Sequence, residues 1–104
     1  MDSRKMNIDV RKERIDAFCQ KWGLKELSLF GSVLRNDFRP DSDVDVLVTF
    51  LPGRQMTFDS FIEMQDELSA MFGGRKVDLV QKRLVTNPFR RYEILTTRQV
   101  VYAV

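Results

Sequence analysis

Histidine is absent from this chain and cysteine occurs once, at Cys19. The first absence excludes His-based zinc sites, Ser-His-Asp and Cys-His nucleophile systems, and any mechanism that needs an imidazole base. The second excludes an intrachain disulfide and a cysteine-built metal cage. Cys19 lies beside Phe18 and Trp22 on an apolar helical face, where a thiol serves as core. Charge of one sign is also scarce: 17 basic against 15 acidic residues leave +2. The basic residues are spread along the chain (Arg11, Lys12, Arg14; Arg75, Lys76; Lys82, Arg83; Arg90, Arg91). They read as solvated faces, so no direct nucleic-acid binding is expected. No apolar run approaches the roughly 20 residues of a membrane span, and the N-terminus lacks a signal-peptide core. The expectation is no membrane contact and a cytoplasmic location. Acid–base and metal work falls to Asp, Glu, Lys or Tyr.

What is present fits one domain, residues 1–104, with 43% apolar residues and a single modest core. Such a length leaves little room for a separate substrate-binding domain. Ile8, Ile15, Phe18, Cys19 and Trp22 share a helical face over residues 8–22, and Gly23 stops it. Leu27 and Leu29 alternate with Glu26 and Ser28 up to Phe30, as in a strand. Gly31-Ser32 breaks that strand, with Ser32 placed to cap a short helical turn through Arg35. Residues 36–42 read as a loop.

Asp43 to Thr49 is a strand with Val44, Val46 and Val48 on one face and Asp43, Asp45 and Leu47 on the other. A helix over about 57–72 would bury Phe58, Phe61, Ile62, Gln65, Leu68, Met71 and Phe72. Lys76 to Val80 is a third strand. Asn87-Pro88 starts a last helix from Phe89 to Arg98, and residues 99–104 form an apolar strand or docked tail. The order α-β-(short α)-β-α-β-α-β predicts an α/β (α+β) fold, a small mixed sheet flanked by helices.

Chemistry concentrates in three acids. Side chains two apart on a strand project from one face, about 6.6–7 Å apart, so Asp43 and Asp45 point the same way. Asp78 lies in the apolar run Lys76-Val77-Asp78-Leu79-Val80, and pairing beside Asp43-Asp45 would make three anions converge. Such a set is costly without a cation, and all-oxygen ligands favour Mg²⁺ or Mn²⁺ over zinc. Two-metal sites hold ions about 3.5–4 Å apart, a spacing these carboxylates can bridge. The bland alternative is solvated strand ends or turn caps. Gly31-Ser32, between strand and helical turn, can let a phosphate approach the backbone. Arg35 could add positive charge against the same phosphates or stand as a surface arginine.

The stretch from Gly31-Ser32 to Asp43-Val44-Asp45 resembles the Gly-Ser-x10-Asp-x-Asp signature of the polymerase-β nucleotidyltransferase superfamily. Within it the chain looks like a minimal nucleotidyltransferase (MNT) of the HEPN/MNT type. That resemblance implies a polymerase-β-like fold and covers most of the chain from Leu24 onward. It implies that Asp43, Asp45 and Asp78 form the catalytic, metal-holding triad, two Mg²⁺ ions being expected, and that Gly31 and Ser32 bind the phosphates of ATP. The expected function is that of an antitoxin in a type VII-like pair. It would transfer AMP from ATP, with Mg²⁺, to a tyrosine hydroxyl of a partner HEPN-domain ribonuclease and so silence it. Asn36 departs from the pattern, standing where such sequences often carry glycine; asparagine tolerates the left-handed backbone better than most residues.

Two other functions share these residues. One keeps the reaction and takes a small-molecule hydroxyl, as on an aminoglycoside; enzymes of that type usually add a second domain. The other is an antitoxin that acts only by covering its partner, with Val100, Val101, Tyr102 and Val104 as a docking surface.

Overall fold

The computed structural model describes residues 11–35, 39 and 41–104. Along the chain these form α1 (Lys12–Trp22), β1 (Leu24–Phe30), a 3₁₀ turn (Gly31–Leu34), β2 (Val44–Phe50) and α2 (Phe58–Met71). Then follow β3 (Val77–Gln81), a second 3₁₀ turn (Lys82–Leu84), α3 (Pro88–Thr97) and β4 (Gln99–Ala103). The four strands make one sheet in the order β3-β2-β1-β4. β1 runs antiparallel to both β2 and β4, while β2 and β3 are parallel. A parallel neighbour requires a crossover, and α2 supplies it. The mixed sheet is thus the expected α/β (α+β) arrangement. The apolar tail after α3 is one of its two edge strands, β4.

Alternation along β2 gives each face its own neighbours. Val44, Val46 and Val48 are fully buried with Leu27 and Leu29 of β1, Val77 and Leu79 of β3, Ile15, Phe18 and Cys19 of α1, and Met64, Leu68 and Phe72 around α2. Leu47 points the other way, into a smaller cluster with Phe30, Val85 and Ile94 of α3.

Local chemistry sets the helix ends. Gly23 takes the left-handed conformation (φ 69°), and its N–H reaches the carbonyls of Cys19 and Gln20, closing α1. Thr57 and Ser60 form a reciprocal capping box at the start of α2. Asn87 accepts from the N–H groups of Phe89 and Arg90, with Pro88 at the first helical position.

Three expectations are corrected. The apolar pattern puts Phe58 and Ile62 in the buried stripe of α2, yet they are 78% and 44% exposed, while Met64 is fully buried. Residues 61, 64, 68 and 71 follow helical spacing onto the sheet, and that phase turns 58 and 62 outward. Ser32 does not cap the turn after β1: Phe30 occupies the cap position, without a side-chain bond. Asp43 lies just before β2 rather than in it. The start of the first helix around Ile8 and the Asn36 departure lie outside the described residues. No helix among the described residues is long and apolar enough to cross a membrane.

Candidate active site

Strand register assembles the acids. Asp45 is paired across β2 and β3 with Asp78, and across β1 and β2 with Phe30, which immediately precedes Gly31. Partners in adjacent strands project from the same face, so Asp45 and Asp78 stand side by side. Gly31 sits over Asp45: a methyl built on its Cα would overlap the Asp45 Oδ2 atom, and its φ of +76° disfavours any other residue. The glycine is therefore required by the carboxylate next to it. The Ser32 hydroxyl donates to the Asp43 carbonyl at 3.4 Å, tying the turn to the approach to β2. A ten-residue gap in sequence closes into a contact.

The electrostatics follow from that packing. Half-buried Asp45 has its pKa raised above the ordinary carboxylate value, first by burial and then by the negative charges of Asp78 and Asp43; Arg35 and Arg90 pull it back down. All three expected acids thus share one field. They do not form a finished cage: among the described residues, no three acidic or thiol groups are close enough to enclose a metal. Asp43 and Asp78 are both exposed, whereas Asp45 between them is half-buried. The donor set still fits a divalent cation, being all oxygen, with a central carboxylate short of compensating charge.

Beside Asp45 opens a cleft of 470 Å³, lined by Phe30, Gly31, Leu34, Arg35, Asp45 and, from α3, Arg90, Glu93, Ile94 and Thr97. Its size falls within the range of about 300–1,000 Å³ usual for small-ligand sites. Of the residues singled out in the sequence, Gly31, Arg35 and Asp45 line it. Ser32, Asp43 and Asp78 lie outside the lining. α3 is held over this face by polar ties: Arg98 pairs with Glu26 at 2.9 Å, and Arg91 donates to the carbonyls of Lys82 and Val85 at 3.0 and 3.2 Å.

Three residues here carry no signal in the sequence. Arg90 and Glu93 come from a helix 45 or more positions after Asp45 and carry no motif. Arg75 donates to the carbonyls of Arg39 at 2.9 Å and Ser42 at 3.4 Å, so it braces the backbone leading into Asp43. In the sequence it was one basic residue among many.

A model of the nucleotidyltransferase domain matches residues 11–101. The chain belongs to the nucleotidyltransferase domain family. Within that family it is similar to the protein adenylyltransferase MntA of Thermococcus cleftensis, 36% identical over 83 residues that span 80% of this chain and 78% of the relative. A Methanocaldococcus jannaschii chain provisionally named a protein adenylyltransferase is 34% identical over 86 residues, covering 83% and 85%. The crystal structure of a toxin–antitoxin with AMP-PNP superposes with a TM-score of 0.70 at 20% identity, over 91% of this chain and 75% of that one. At that identity the likeness is one of fold. The nucleotidyltransferase thus has the fold and the relatives that its Gly-Ser and Asp-x-Asp elements foretold.

Proposed function

We propose that this nucleotidyltransferase is an antitoxin that transfers AMP from ATP to a tyrosine hydroxyl of a partner HEPN ribonuclease. The observation that carries this reading is the pairing of Asp45 with Asp78 and with the residue before Gly31, at the mouth of a nucleotide-sized cleft. The names of the curated relatives supply the reaction class: one is named a protein adenylyltransferase and the other provisionally so.

Asp43, Asp45 and Asp78 are the residues that would hold Mg²⁺. When bound, the cation offsets triphosphate charge and makes the acceptor hydroxyl more acidic. Gly31, lacking a side chain, lets a phosphate lie against the backbone beside Asp45. Arg35 meets the triphosphate from the rim. The tyrosine oxygen attacks the α-phosphorus, a new O–P bond forms, and the bond to the β-phosphate oxygen breaks to release pyrophosphate. A free tyrosine has a pKa of about 10, so it must lose its proton as it attacks. Asp78, exposed on the open side of the pair, takes that proton and passes it to water.

The test is to incubate the chain with ATP, Mg²⁺ and the protein encoded beside it, then map adducts by mass spectrometry. Wild type should leave AMP on a tyrosine of the partner, and Asp43→Ala and Asp45→Ala should leave none. A labelled small molecule instead of protein would move the acceptor to the aminoglycoside-like class; no adduct at all would overturn the enzymatic reading. The non-catalytic alternative has one observation in its favour: Phe89 and Tyr92 of α3 are 86% and 72% exposed, as docking anchors would be. It predicts that Asp45→Ala neutralises the toxin as well as wild type does.

A further inference from the structure

The geometry points to Arg90 as a phosphate-binding residue of the nucleotide site, which makes α3 the wall of the cleft opposite the Gly31 turn. This rests on the nucleotide reading of the cleft and extends it to an element outside the Gly-Ser and Asp-x-Asp signature.

Arg90 lines the cleft together with Gly31 and Arg35 and lies close enough to Asp45 to lower its pKa. Its guanidinium has no hydrogen-bond or ion-pair partner among the described residues. A carboxylate three positions on, Glu93, faces the same space, yet the two do not pair although that spacing permits it. The cation is left available to a ligand. Arginine is suited to the role because its planar fork meets two phosphate oxygens at once and stays charged at any working pH.

The charges also give the cleft a direction. Arg35, Arg90 and Asp45 mark one end, where anionic oxygens and the reacting phosphorus belong. Glu93 and Thr97 lie one and two turns further along α3, with Ile94 and Phe30 beneath. A carboxylate there repels phosphate and suits hydroxyl donors, so the uncharged nucleoside belongs at that end. The fold holds Arg90 in place from both sides. Its own backbone N–H is fixed by the Asn87 cap at 3.0 Å, and Arg91 anchors the same turn to the body of the protein.

The experiment compares wild type, Arg90→Ala and Arg90→Lys for ATP affinity by direct titration with Mg²⁺, and for AMP transfer. Arg90 is exposed, so circular dichroism should find all three equally folded. Loss of a charge-assisted contact should weaken ATP binding about tenfold or more in Arg90→Ala, and raise KM for ATP by a similar factor. Arg90→Lys should recover part of the loss, and the salt dependence of binding should flatten in Arg90→Ala. ATP affinity within twofold of wild type in Arg90→Ala would overturn the assignment while leaving the antitoxin reading intact. If wild type binds ATP but modifies no protein, the antitoxin reading fails and Arg90 is still judged by its affinity. If wild type binds no ATP, both fall.

Discussion

The sheet face under α1 and α2 is closed with apolar residues from end to end, whereas the face under α3 is apolar only at its centre, with Glu26 paired to Lys82 and Arg98 at one end and crowded carboxylates at the other. Val44, Val46 and Val48 belong to the first; Asp45 and Leu47 alternate with them and belong to the second. One strand therefore serves both purposes, with a rigid row of valines fixing the carboxylate that projects behind it. The contrast teaches how one sheet can carry both a packed core and a candidate site. Stability is concentrated on one side, and the other can tolerate repelling charges and an open cleft.

The comparison breaks most sharply in the closed face. Leu68 is fully buried, and Leu68→Ala should cost about 2–5 kcal/mol of stability by urea unfolding. Ile62→Ala on the same helix, at an exposed position, should stay within about 0.5 kcal/mol. Equal losses would mean that α2 is docked in a different phase. A smaller effect is expected at its cap: Thr57→Ala removes the acceptor for the Ser60 N–H at 3.1 Å and should cost about 1 kcal/mol, with AMP transfer unchanged.

The open face should respond with the opposite sign. The raised pKa of Asp45 means that the folded chain holds that proton more tightly than the unfolded chain does. Without a divalent cation, stability from this group is full below the ordinary carboxylate pKa and is lost as pH rises through the raised value. Asp45→Asn should therefore raise the thermal midpoint slightly at neutral pH while abolishing AMP transfer. It should also remove any stabilisation by added Mg²⁺. A lowered midpoint would show that the carboxylate is held by compensating bonds rather than crowded by its neighbours.

Much of the closed face was legible because period and burial agree there. The Val44-Val46-Val48 alternation, the Gly23 stop and the Asn87-Pro88 start all act through a few neighbouring residues. Cys19 was legible for the same reason, and burial pushes its thiol up to about 12, in keeping with an inert core residue. The phase of α2 was not, because both Phe58 and Met64 are apolar and only docking chooses between them. Asp43 and Asp45 were conspicuous through their spacing. Arg75 and Arg90 were not, since an arginine that braces a loop or faces a cleft looks in sequence like one that meets water.

By itself the sequence determined which side chains were available for chemistry: without histidine and with one buried thiol, acid–base and metal work fell to Asp, Glu, Lys or Tyr. It also determined the order of elements, since helix stops, caps and strand alternation are short-range. Tertiary structure alone decided which acids meet, through the parallel register that sets Asp78 beside Asp45 and the antiparallel one that brings Gly31 over it. It likewise decided that α3 shares a cleft with Asp45 and Gly31. Those pairings join residues far apart in the chain, and only the closing of the sheet and the seating of α3 by Glu26 and Arg98 bring them within reach.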